Sequence, residues 1–239
     1  MTTNGYFVAT TGDNGNAGTN PATAWATIAY AETTAPSGAT VYVLPGTYNE
    51  DVTVNRHSVH FVGVGMPVVR RFELSSVTNV TIKDFEFTHV NTSYGDTIMY
   101  GGTCTNILIE GNYIHNIRGR VGEGSDIGYL SDSASRFIIV RGNTISYPGW
   151  IPGVLSENDQ SGVDLSPLSS SCLVEYNTFL RVLDGVHGYG QQQTIRNNTY
   201  GDYMTNYWPG DDYLLGHADI FQGGSDSGQC CQTFHRRLL

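Results

Sequence analysis

Lysine is nearly missing from this chain: Lys83 is the only one in 239 residues. Lys and Arg together number 12 against 22 Asp and Glu, for a formal net charge of −10. Nucleic-acid backbones are held by clustered cations, so this balance excludes nucleic acid as the expected partner. A neutral ligand suits it, as does one held through Ca²⁺ on carboxylates; a polyanion would need a cation or local arginines. Long apolar runs are missing too, none approaching the roughly 20 residues that span a bilayer, and no membrane partner is expected. The start, Met1-Thr-Thr-Asn-Gly-Tyr6, lacks the basic-then-apolar pattern of a secretory signal. The expectation is a leader trimmed and replaced by Met1, or export by another route, as for phage structural proteins. Four cysteines (Cys104, Cys172, Cys230, Cys231) are too few for a disulfide framework in a chain this long. No Cys-x-x-Cys or Cys/His spacing suggests zinc. Cys104 and Cys172 read as buried apolar residues.

What the chain has is internal repetition. Val80–Phe87, Ile107–Ile114, Ile138–Ile145, Leu173–Phe179 and Thr194–Tyr200 share one form. Each is a short β-rich run, one or two polar or glycine residues, Asn, any residue, then a large apolar one. The Asn falls at Asn112, Asn143, Asn177 and Asn198, with Phe85 in its place in the earliest copy. Units of this length imply stacked supersecondary repeats. They carry strand residues and a turn but no amphipathic helix. Stacked strands of this kind form parallel sheets around a tube, with side chains alternating in and out. The repeated Asn reads as structural, its amide bonding the same amide one coil away.

The expected fold is therefore all-β: a right-handed parallel β-helix solenoid over residues 1–222, with an N-terminal cap over about 1–48. Trp25, Ile28, Ala29 and Ala31 recur at helical spacing within 21–35, and Pro36-Ser-Gly38 stops them. A short helix there would close the open end, with Trp25 in the core. Residues 223–239 read as an irregular tail, where the coil pattern is cut short or altered. Extra residues in long repeats become surface loops, where function concentrates. They fall at Gly119–Ser125, Pro148–Ser161 and Gly201–Gly216.

Tyr6-Phe-Val, Thr11-Gly-Asp13, Gly18-Thr19, Pro21, Trp25-Ala-Thr-Ile28 and the Gly38–Tyr48 run resemble the opening of pectate-lyase-like right-handed β-helix proteins. The repeats from Val80 to Tyr200 resemble their coils. The resemblance implies a carbohydrate theme and an extracellular setting, secreted or particle-bound. It leaves the reaction open, because that superfamily spans polysaccharide lyases, glycoside hydrolases, epimerases, phage tailspikes and non-catalytic adhesins. No single family's catalytic signature matches residue by residue. Asp211-Asp212 and His187-Gly188 only faintly echo the paired aspartates of polygalacturonases, and only Lys83 could supply a lyase-like lysine.

A second short run precedes each Asn: Asp96-Thr-Ile-Met, Asp126-Ile-Gly-Tyr, Gly162-Val-Asp-Leu and Asp184-Gly-Val-His-Gly, with Asp219-Ile-Phe-Gln a fifth run of the same form. With Ile98, Ile127, Val163, Val186 and Ile220 pointing inward, Asp126, Asp164, His187 and Asp219 would point outward, stacked at ~4.8 Å per coil. Asp184 and His217 join them as catalytic candidates. Two such carboxylates can hydrolyse a glycosidic bond. Several can hold Ca²⁺, with Asp164 and Asp184 the candidate ligands. Such an ion could neutralise a uronic acid while a base removes its α-proton, the lyase route. Arg118, Arg120, Arg141, Arg181 and Arg196 are the available bases or clamps, although an arginine base needs its pKa strongly depressed. Trp150, Tyr207 and Trp208, with Arg181, are the expected substrate-binding residues, since flat rings stack on sugars. The competing structural reading is that these aspartates cap turns. The expected function is a pectate-lyase-like enzyme cleaving a glycan along the outward sheet. A glycoside hydrolase, or a non-catalytic adhesin or tailspike module, is the alternative.

Overall fold

The structure is a computed structural model and describes residues 5–88, 97–115, 124–129, 134–146, 160–180, 182, 184–188, 190–201, 221–222 and 231–233. Every strand pair in it is parallel, and the chain winds as a right-handed β-helix with three strands per coil. Face A consists of Gly5–Val8, Thr40–Val43, His60–Gly63, Thr78–Lys83, Thr105–Glu110, Arg136–Arg141, Leu173–Glu175, Thr194–Arg196 and Cys231–Thr233, stacked in that order. Face B consists of Glu86–Phe87, Tyr113–His115, Thr144–Ser146, Thr178–Leu180 and Thr199–Gly201. Face C consists of Thr47–Val54, Val68–Ser75, Ile98–Gly101, Gly124–Tyr129, Gln160–Leu165, Asp184–Gly188 and Phe221–Gln222. The long strand Val68–Ser75 joins B to C: its first residues pair with Glu86–Phe87 and its last with Ile98–Gly101.

The core is a set of columns in which each apolar side chain lies on its counterpart in the next coil. Val41, Phe61, Ile82, Ile109, Val140, Val174 and Ile195 form one from face A, all buried. Phe72, Ile98, Ile127, Val163 and Val186 form another from face C, all fully buried. β-branched and aromatic residues dominate because they fit the pleated surface. Each such burial contributes about 1.5–3 kcal/mol before chain entropy is charged against it. The sequence expectation placed Ile220 next in the face C column, but Phe221 pairs with Val186. Cys231–Thr233 continues face A beyond residue 222, so the coil pattern runs on into the segment that reads as an irregular tail.

The turn from A to B is two residues long in five coils and is built the same way each time. Its first residue is left-handed: Asp84, Gly111, Gly142, Tyr176 and Asn197 have φ between 54° and 68°. Its second is Phe85 or a buried asparagine, and the asparagines form a ladder. Nδ2 of Asn112 donates to Oδ1 of Asn143 at 3.0 Å, Asn143 to Asn177 at 2.9 Å, and Asn177 to Asn198 at 3.0 Å. Each Oδ1 also accepts from the preceding coil's backbone, as in Asn112 N to Asn143 Oδ1 at 2.9 Å. The second Nδ2 proton reaches a carbonyl, as in Asn143 to Ile109 O at 3.0 Å. All three amide functions are thereby satisfied out of water, as buried polar groups must be.

The N-terminal end is closed as expected. Thr27 caps the helix Ile28–Thr34 by accepting from Tyr30 N, and the Glu50 carboxylate accepts from Ile28 N and Ala29 N at 3.1 and 2.9 Å. Trp25 is 2% exposed, stacks on Tyr6 at 5.0 Å, and donates Nε1 to Asn16 O. The segment before the helix covers the edge of Gly5–Val8: Phe7 N donates to Gly18 O, and Trp25 N to Phe7 O. Gly18 has φ +71°, and a Cβ there would enter the Trp25 indole. Among the described residues no helix is long and apolar enough to cross a membrane.

Asn143→Ala removes an acceptor shared by two buried donors of Asn112. We expect a loss of about 3–5 kcal/mol in denaturant unfolding. A surface control, Asn55→Ala, should change stability by less than about 0.5 kcal/mol.

Candidate functional site

Face C is where the long connections arrive. Residues 88–97, 116–123, 147–159 and 202–220 each link a face B strand to the next face C strand, and the predicted insertions fall in these links. Met99 points outward here yet is only 4% exposed, and Thr97 is fully buried. The face is therefore sheltered at this coil.

The strand registers define an outward column Glu73, Met99, Gly128, Asp164, His187 and Gln222. Asp164 and His187 are direct cross-strand partners. The imidazole Nδ1 lies 3.2 Å from Asp164 Oδ1, with the two side chains 21% and 22% exposed. The contact is close but misaligned: Oδ1 is buried and accepts no hydrogen bond. A buried carboxylate oxygen left without a donor calls for a reason, such as a group that arrives with a ligand. Tyr100 fixes the backbone beneath it, its hydroxyl donating to Asp164 O at 3.1 Å from two coils away. Tyr100 was not singled out from sequence; the available signal was a tyrosine in a core column, whose polar tip needs a partner.

The other expected members fall differently. Asp126 precedes Ile127, so its backbone lies level with Gly162, in the column beside that of Asp164. Asp184 is level with Ser161, three residues before His187 on the same strand. The side chains of Asp126 and Asp184 are outside the described residues. So are His217, Asp219, Trp150, Tyr207, Trp208 and Arg181, along with Arg118 and Arg120. Among the described residues no three His, Cys, Asp or Glu side chains gather as metal ligands.

Two of the arginines offered as bases are committed elsewhere. On face A, Lys83, Glu110, Arg141, Glu175 and Arg196 occupy one column in alternating sign. Lys83 Nζ lies 3.3 Å from Glu110 Oε1, and Arg141 Nη2 lies 3.1 Å from Glu110 Oε2. Arg196 Nη2 lies 2.8 Å from Glu175 Oε2, with Arg141 Nη1 at 3.9 Å from Oε1. Burial alone would raise the Glu110 carboxyl. Hydrogen bonds from Arg141 and Lys83, with their charges, outweigh it and hold the group below its ordinary 4.5.

No protein-family model matches the chain, and no curated protein sequence matches it. Solved structures do. A rhamnogalacturonan lyase superposes with a TM-score of 0.63 at 14% identity, over 98% of this chain and 66% of that one. A lacto-N-biosidase of family GH136 from Eubacterium ramulus gives 0.59 at 13% identity, over 95% and 57%. An alginate lyase from Paenibacillus gives 0.52 at 12% identity, over 88% and 94%. The fold they share with this chain is the right-handed parallel β-helix. The chain spans less than two thirds of the first two structures, and at these identities the likeness to the β-helix neighbours concerns the fold. Within this β-helix, Asp164 is the one carboxylate among the described residues with a buried, unpartnered oxygen.

The depressed Glu110 contributes stability that is present above its ordinary pKa and is lost as pH falls through the lowered folded value. Glu110→Gln should cost about 0.5–1 kcal/mol at about pH 7, because the column is partly exposed. The gap to wild type should shrink below about pH 4; urea unfolding at both pH values measures it.

Proposed function

We propose that the protein acts on polysaccharides outside the cell, laying a glycan along face C and cleaving it at Asp164 and His187. The carrying observation is the Asp164–His187 contact, with its unpartnered carboxylate oxygen, on the face the long connections enter. The similarity to a rhamnogalacturonan lyase and an alginate lyase supports this class of substrate. A polymer too large to enter a cell places the encounter outside it, with the protein secreted or attached to a phage particle.

The lyase route uses these groups most directly. A small rotation that aligns the 3.2 Å contact lets the Asp164 carboxylate accept Nδ1–H of His187, which leaves Nε2 to accept a proton. His187 then takes the proton from the carbon beside the uronate carboxyl group. The electron pair forms the new carbon–carbon double bond, the bond to the glycosidic oxygen breaks, and that oxygen leaves with a proton from solvent or a neighbouring acid. Asp164 stabilises the imidazolium while it lasts. This spares the chain an arginine base, which Arg141 and Arg196 are poorly placed to supply. Ca²⁺ on Asp164 and Asp184, expected from the sequence, would offset the substrate carboxylate and remains part of the proposal.

A hydrolase is the second reading, and one observation favours it. Asp126 and Asp164 are one coil and two residues apart, roughly 8 Å between Cα atoms by strand geometry. That separation suits a pair of glycosidase carboxyls.

The test is incubation with polygalacturonate, rhamnogalacturonan, alginate and a neutral glucan, with and without Ca²⁺. We expect new reducing ends together with the ultraviolet absorbance of unsaturated uronates. His187→Ala should lower kcat/KM by about 10³-fold and Asp164→Asn by about 10²-fold, with unchanged circular dichroism. Reducing ends without the absorbance would replace the lyase by the hydrolase. Absence of cleavage on every substrate would leave a binding module.

A further inference from the structure

Face A carries features that neither cleavage nor folding explains. Its corner with face C is a column of left-handed residues: Gly38, Ser58, Asn79, Asn106, Phe137, Ser171 and Gln192, with φ between 54° and 81°. Small or polar residues tolerate that conformation, and here they bond along the column. Asn106 Nδ2 donates to Asn79 Oδ1 at 3.1 Å, Asn79 Nδ2 to Ser58 Oγ at 3.2 Å, and Ser171 Oγ to Gln192 Oε1 at 3.3 Å. Phe137 interrupts this ladder, contributes no hydrogen bond to it, and is 51% exposed. At the opposite corner the left-handed column is Asp84, Gly111, Gly142, Tyr176 and Asn197, and Tyr176 is 58% exposed. A bulky ring at positive φ is strained, and these two rings are not repaid by burial. Strain kept at exposed aromatics points to a ligand.

Charge says which kind. The strands of face A carry Lys83, Arg136, Arg141 and Arg196 against Glu110 and Glu175, a cation surplus on a chain of net charge −10. The carboxylates sit low, Glu175 at 6% and Glu110 at 25% exposed, while Arg141 and Arg196 stand out at 41% and 48%. Solvent therefore meets guanidinium groups on this face. Arg136 adjoins Phe137, and Arg141 and Arg196 flank the coil that ends in Tyr176. Each corner thus joins a flat ring to a cation, the two being roughly 17 Å apart by strand geometry. The turns bounding this face at Tyr176 are two residues long, so the surface is open to a long chain.

We infer that face A is a second glycan-binding surface, for anionic polysaccharide, with Phe137 and Tyr176 stacking on sugar rings and Arg136, Arg141 and Arg196 meeting their carboxylate or sulfate groups. It is separate from the cleavage proposed for face C and stands or falls without it.

Native gel electrophoresis of the full chain through polygalacturonate, dextran sulfate or neutral dextran tests it. Wild type should be retarded by polygalacturonate and pass freely through dextran. Retardation by dextran sulfate as well assigns recognition to charge alone; its absence assigns it to the sugar carboxylate. Phe137→Asn with Tyr176→Gly installs the residue types of the neighbouring coils. It should raise Tm while weakening apparent Kd at least about tenfold. Arg136→Gln should weaken retardation with the fold intact. His187→Ala should bind as wild type, which separates this surface from face C. The inference is overturned if neither anion retards wild type, if dextran retards it equally, if the double variant binds unchanged, or if His187→Ala abolishes retardation. It is also overturned if wild type is an oligomer that the double variant dissociates, because the rings then pack against a second copy.

Discussion

The hydrogen bond from one asparagine amide to the next fixes how each coil sits on its neighbour, and every column in the molecule inherits that registration. Asn112, Asn143 and Asn177 each satisfy a donor and an acceptor of adjacent coils as well as a backbone carbonyl, and Asn198 ends the ladder on the Val174 carbonyl. A slip of one residue would break all of these bonds and turn the apolar columns outward. The left-handed residue before each asparagine gives the sharp bend that brings the amide into the tube. Inside that frame, Asp164 meets His187 only because Val163 lies on Val186.

Much of this was legible in the sequence, for a physical reason. Buried side chains in a solenoid see the same surroundings in every coil, so Ile98, Ile127, Val163 and Val186 and the asparagines recur as similar residues in similar contexts. Legibility failed where the context changes. No asparagine follows Phe221 to anchor its coil, and Ile220-Phe221 offers two adjacent apolar residues to choose from. Asp126 and Asp164 flank their inward residues on opposite sides, a difference of one position that a short motif does not reveal. The charged column was present in the aligned repeats, as Lys83, Glu110, Arg141, Glu175 and Arg196 just before each turn. Alternation of sign was the signal, and reading the arginines singly as bases passed over it.

The three corners divide the work. From Lys83 onward the A-to-B corner is constant in length and locked by hydrogen bonds, and departures from its rule carry information, as at Tyr176. The C-to-A corner varies in length but keeps a left-handed residue where face A begins, with Phe137 the bulky ring among them. The B-to-C corner has no shared length. Chemistry beside the Asp164–His187 contact is thus decoupled from the corner that sets registration.

That decoupling has a consequence for how such a scaffold changes over time. Closure entropy grows only logarithmically, so doubling a connection costs about 0.6 kcal/mol. The stretch between Ser146 and Gln160 can therefore lengthen, shrink or be exchanged wholesale while the barrel of coils beneath keeps its pitch. A lineage could sample new sugar specificities at one rim of the tube at little thermodynamic risk, and a protein engineer could transplant segments there on the same grounds.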